Sequence, residues 1–149
     1  MPFLYEKIDT LREVGVQKEL PQYMQENLNR NFELRPYQIK AFENFITYFE
    51  NDKLCQKPTQ TLFHMATGSG KTLIMAGLIL YLYKQGYRNF LFFVNLSNIV
   101  RKTKDNFLKS TSSKYLFAEE IAIDGEKVPI KEVTNFQYCD DKAVNICFT

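Results

Sequence analysis

The stretch Met65-Ala66-Thr67-Gly68-Ser69-Gly70-Lys71-Thr72 limits the fold of this chain more than any other. Glycines followed by Lys-Thr make a phosphate-binding loop when a strand leads in and a helix leads out. Both flanks are legible. The apolar run Thr61-Leu62-Phe63-His64-Met65 reads as a short buried strand. Leu73, Ile74, Ala76, Gly77, Leu78, Ile79, Leu80 and Leu82 read as a strongly apolar helix that stops near Gly86. Gly68 and Gly70 admit backbone angles that side-chain-bearing residues resist, and they let the chain approach an anion closely. The amides from Ala66 and Thr67 through Gly68, Ser69 and Gly70 then form a nest. The first helical turn adds unpaired N–H groups and partial positive charge. Lys71 is placed to reach the β- and γ-oxygens of a triphosphate, and the Thr72 hydroxyl to bind Mg²⁺.

A chain of 149 residues with 45% hydrophobic content fits one globular domain with a core of its own. The net charge of +2 is close to neutral, so a nucleic-acid surface must be local. Cys55, Cys139 and Cys147 are scattered, odd in number and without metal spacing, as expected of reduced thiols in a cytoplasmic protein. No apolar run reaches the roughly 18 residues of a membrane helix. The start, Met1-Pro2-Phe3-Leu4-Tyr5-Glu6, lacks a signal-peptide pattern.

Residues 1–31 read as a mostly polar helical segment. Phe3, Leu4, Ile8 and Leu11 share one face, Gly15 ends that helix, and Pro21 opens a second with Tyr23, Met24 and Leu28 inward. Residues 32–149 follow as a distinct region. Pro36 suits a helix start, with Ile39, Phe42, Phe45, Ile46 and Phe49 inward. Leu34-Arg35-Pro36-Tyr37-Gln38 ahead of the loop resembles the adenine-reading Q motif of superfamily 2 helicases and translocases. The Gln38 amide offers one donor and one acceptor, matching N7 and the N6 amine of adenine, and Arg35 can stack on the ring. Together with the loop this points to ATP.

Beyond Gly86, Asn89-Phe90-Leu91-Phe92-Phe93-Val94 reads as a parallel strand buried on both faces. The next helix, from Ile99 to Leu108, is capped by Ser97 or Asn98. Strand, helix, strand, helix implies right-handed crossovers and a parallel sheet. Ile121 to Ile130 reads as an inserted β-hairpin turning at Asp124-Gly125, and Ala143 to Thr149 as another buried strand. His64 reads as a packed strand residue, not a base.

Phe63-His64-Met65-Ala66-Thr67-Gly68-Ser69-Gly70-Lys71-Thr72, followed by the run from Phe90 to Phe107, is similar to the restriction (Res) subunit of type III restriction-modification enzymes. The general loop pattern opens with Gly, and Met65 in that place suits this helicase-like group. The resemblance spans about residues 32–149. It implies an incomplete RecA-like α/β lobe: a parallel sheet flanked by helices, with N-terminal helices and an inserted hairpin. It implies an ATP-driven translocase on double-stranded DNA with endonuclease activity, partnered by a modification methyltransferase subunit. It places Ser97 and Asn98 at the tip that meets the nucleic-acid backbone.

A helicase-type ATPase also needs a Walker B acid to hold Mg²⁺ and place water. No Asp-Glu-x-His/Asp tetrad is present, and Asp140-Asp141 reads as a surface loop. The chain is therefore expected to be an N-terminal part of a larger protein, nearly inactive alone. Alternatives are another helicase-family ATPase on DNA or RNA, a stand-alone nucleotide-binding or small-molecule kinase domain, and a non-enzymatic module with a vestigial loop.

Overall fold

The computed structural model describes all 149 residues. The elements are α1 (Leu4–Glu13), α2 (Gln22–Asn27), α3 (Pro36–Phe49), α4 (Lys71–Lys84), β1 (Asn89–Phe92), α5 (Ser97–Leu108), β2 (Ala122–Ile123), β3 (Glu126–Lys127), β4 (Ile130–Glu132) and β5 (Val144–Phe148). This is the mixed α/β architecture expected of part of a RecA-like lobe. No helix is long and apolar enough to cross a membrane. Two compact units are distinguishable: Met1–Pro21 with Glu33–Ile74, and Gln22–Phe32 with Met75–Thr149.

In the first unit α3 starts where the sequence says it should. Pro36 stands in the first turn, and the Gln38 side chain reaches back to accept the Arg35 N–H at 2.9 Å. Phe42, Phe45 and Ile46 are buried, as their spacing predicts. On α1 only Ile8 is buried, and Phe3 and Tyr5 remain exposed. Side-chain bonds tie this helix to α3: the Arg12 guanidinium donates to Asn44 Oδ1 at 2.7 Å, and Gln17 bridges Arg12 to Glu43.

The segment leading into the loop departs from expectation. Thr61–Met65 forms no strand, and Leu62 is 91% exposed. The ring of Phe63 meets that of Phe45 on α3. An apolar run becomes a strand when another strand satisfies its backbone, and no backbone ladder bond reaches residues 61–64. His64 is likewise exposed instead of packed.

The second unit is built on a parallel sheet in the order β1-β5-β4, with Phe90 opposite Ile146 and Ile130 opposite Val144. Central β5 is buried at Val144, Asn145 and Ile146. The expectation that β1 is buried on both faces does not hold. It is an edge strand, paired on one side alone, and Leu91 is exposed. The Asn145 amide nitrogen faces the carbonyls of Arg88 and Asp140 and the Asn89 side-chain oxygen, at 3.3, 2.8 and 3.2 Å. Its own Oδ1 is buried and unpartnered. Phe107 of α5 is buried among Phe92, Phe117 and Phe148.

The hairpin is present as β2–β3. Asp124 and Gly125 both take positive φ, 55° and 79°, the conformation an Asp-Gly turn supplies. Ile130, expected within that hairpin, instead opens β4 in the parallel sheet. Buried Asn27 of α2 clamps the hairpin: Nδ2 donates to the Ala122 carbonyl at 2.9 Å, and Oδ1 accepts the Ala122 N–H at 2.8 Å.

Candidate phosphate-binding site

The loop ahead of α4 closes on its own backbone. The Ala66 carbonyl oxygen accepts three bonds: from the Ser69 N–H at 3.2 Å, the Ser69 hydroxyl at 2.6 Å and the Lys71 ammonium at 3.0 Å. Lys71 also donates to the Met65 carbonyl at 3.0 Å. A helix N-terminus leaves N–H groups unpaired, and a lysine there needs acceptors. The Met65 and Ala66 carbonyls supply them for Lys71. Each donor in this set would be satisfied equally by an anionic phosphate oxygen, with stronger, charge-assisted bonds.

Two side chains of α3 hold the loop from outside. The Ser69 carbonyl accepts the Tyr37 hydroxyl and the Gln38 Nε2–H, each at 3.0 Å. Gln38 is 5% exposed. Its amide therefore joins the start of α3 to the loop, through Arg35 at one end and Ser69 at the other. Gly70 is required twice. Its φ of +85° lies in the left-handed region, and a Cβ there would collide with Gln38 Nε2. Tyr37 is the residue that sequence reasoning missed, although its place between Pro36 and Gln38 was a usable signal.

The remaining candidates are placed as follows. Arg35 is exposed, and its guanidinium has no hydrogen-bond partner. Thr67 and Gly68 form the exposed turn of the loop, where Gly68 has φ +77°. Thr72 is half-buried in the first turn of α4. No group of three His, Cys, Asp or Glu side chains converges to hold a metal. A cavity of about 910 Å³ opens in the same unit, with Phe45, Tyr48 and Phe63 on its walls and Ala66 and Ser69 at its rim. Arg35 and Gln38 do not line it.

Ser97 and Asn98 belong to the second unit and are exposed at the start of α5. Neither caps the helix. Ser97 is already its first residue, the cap position is Leu96, and Asn98 Oδ1 accepts the N–H of the adjacent Ile99 at 2.9 Å. Asp140 lies in the loop before β5. Its hydrogen bond from Lys131 and that from the Lys142 N–H hold its carboxyl below the usual carboxylate range.

Comparison with known proteins adds a family. The model described as "Type III restriction enzyme, res subunit" matches residues 31–149. The probable type III restriction-modification enzyme HindVIP Res subunit of Haemophilus influenzae is 43% identical over 136 residues. That alignment covers 87% of this chain and 26% of the relative, so the chain spans about a quarter of that protein's length. No solved structure matches.

Proposed function

Because this chain belongs to the type III restriction enzyme Res subunit family, we propose that residues 32–149 are the first part of a helicase-type ATP-binding lobe, with residues 1–31 a helical segment preceding it. The observation that carries the reading is the convergence of three donors on the Ala66 carbonyl oxygen. A loop that gathers two N–H or O–H donors and an ammonium on one oxygen is built to hold a phosphate oxygen in its place.

On this reading the residues divide the work by chemistry. The amides of Ala66 through Gly70 bind the phosphates, and Lys71 exchanges the Met65 and Ala66 carbonyls for β- and γ-oxygens. Thr72 orients Mg²⁺. Arg35 and Gln38 bind the adenine. ATP supplies the transferable phosphoryl group and the energy for movement. The whole protein is proposed to translocate on double-stranded DNA and cut it, together with a modification methyltransferase subunit. Ser97 and Asn98 serve the track, because free amides and hydroxyls at the start of a helix suit a DNA phosphate. Asp140 is already engaged by Lys131 and Lys142. These residues alone are therefore expected to turn ATP over negligibly.

The test is calorimetric titration of ATP and Mg²⁺ into the wild type and Lys71→Ala. Removing a charged hydrogen-bonding partner is expected to weaken binding by about 1.5–3 kcal/mol, roughly ten- to a hundredfold. Equal affinity in the two proteins would reject the phosphate-binding role. Sustained hydrolysis abolished by Lys71→Ala would show the catalytic set to be complete within this chain.

A further inference from the structure

Gln38 carries two duties that its burial makes exclusive. To read a base, its amide must face the base with both donor and acceptor. In the structure Nε2 donates to the Ser69 carbonyl and Oε1 accepts the Arg35 N–H. A glutamine amide has a further hydrogen and lone pair to offer, but the side chain is buried and its amide is already turned to Ser69 and Arg35. Gln38 must leave its seat to meet adenine. Ser69 then keeps one holder, the hydroxyl of Tyr37. Ser69 is also the residue whose N–H and hydroxyl fill the Ala66 carbonyl and so keep the loop shut.

We propose that Gln38 is a latch on the phosphate loop that adenine draws off, so that base recognition and loop opening compete for one side chain. Tyr37 is a second, weaker hold on the same Ser69 carbonyl, which its hydroxyl keeps when Gln38 leaves. This rests on the nucleotide-binding reading above and adds to it a rule of selection. A ligand with phosphates but no base has nothing with which to pull Gln38 away. It meets a loop still closed on Ala66 and Lys71, whereas ATP opens the loop as it binds.

The test uses inorganic tripolyphosphate beside ATP and GTP, all with Mg²⁺, on the wild type, Gln38→Ala and Tyr37→Phe. Gln38→Ala removes the latch and is expected to bind tripolyphosphate more tightly than the wild type, by about two- to tenfold for one net hydrogen bond. The same variant loses preference for ATP over GTP. Tyr37→Phe keeps the ring of a partly exposed residue and loses only its hydroxyl, so it folds. It is expected to gain tripolyphosphate affinity by a smaller factor and to keep the ATP preference. A merely structural role for the two contacts predicts the opposite sign, because a damaged loop binds every phosphate less well. Unchanged or weaker tripolyphosphate binding in both variants overturns the latch while leaving nucleotide binding intact. If no protein in the set binds ATP or tripolyphosphate, the nucleotide-binding reading falls, and the latch with it.

Discussion

Each of the two units is held together internally by its own means. In the second, backbone ladders join three parallel strands, β5 is buried at its first three residues, and aromatic rings pack around Phe107. In the first, the run into the phosphate loop has no ladder, and the loop is held by side chains and single carbonyls. A ladder is cooperative and hard to exchange piecemeal. Single bonds to a carbonyl can be handed over one at a time to an incoming phosphate. Local stability is lowest where a ligand must rearrange the chain, and the loop's bonding is of that exchangeable kind.

The sharpest way to break this contrast is Asn145→Asp. The substitution puts a carboxylate oxygen where the amide nitrogen now faces the carbonyls of Arg88 and Asp140, at a fully buried position. An uncompensated buried charge costs about 3–5 kcal/mol. Urea unfolding is expected to show a loss of that size, and wild-type stability in the variant would mean that β5 is not the rigid centre described here. Asn27→Ala comes next. It removes both bonds to Ala122 from a buried site and leaves that peptide unpaired. The expected loss is about 2 kcal/mol, together with faster amide exchange at Ala122. If exchange there stays slow, the hairpin is held by something other than Asn27.

A smaller effect concerns acid. Asp140 titrates below the usual carboxylate range because Lys131, and then the Lys142 N–H, favour its charged form. A lowered folded-state value means that the stabilisation is full above the unfolded carboxylate value and is lost as pH falls through the folded one. Stability is therefore expected to decline on the acid side of the ordinary aspartate range. Lys131→Ala should flatten that decline, which urea midpoints taken across that range would reveal.

Much of this was legible in advance, and the failures have one physical source. Helix starts and stops are local chemistry. Pro36 with Gln38 opens α3, and Gly86 closes α4 through N–H bonds from Gly86 and Tyr87 to the carbonyls of Tyr83 and Leu82. Asp124-Gly125 turned the hairpin for the same reason. Strand burial is not local. Whether Thr61–Met65 pairs, or β1 lies inside a sheet, depends on neighbours that no residue in the run encodes. Ile130-Lys131-Glu132 was invisible as a strand because it is short and two-thirds charged, and its partner alone makes it β4. At the site, residue types alone carry the proposal of phosphate binding. The Tyr37 and Gln38 bonds to Ser69 needed coordinates, since they join segments that only folding brings together.

The smallest expected effect tests the first unit most directly. Leu62→Gln alters a side chain that is 91% exposed in a segment without ladder bonds. Had Thr61–Met65 been a buried strand, losing a core leucine would cost about 2–5 kcal/mol. In the structure described here the change should stay within roughly 0.5 kcal/mol, as surface substitutions do. Amide exchange supplies the backbone half of the same test. Residues 61–64 should exchange orders of magnitude faster than 144–148, because opening that needs no broken ladder costs little. Strong protection at 61–64, or a large loss in Leu62→Gln, would mean that this run is paired in solution. The phosphate loop would then hang from a sheet, and its opening would have to be sought in the Gly68–Gly70 turn alone.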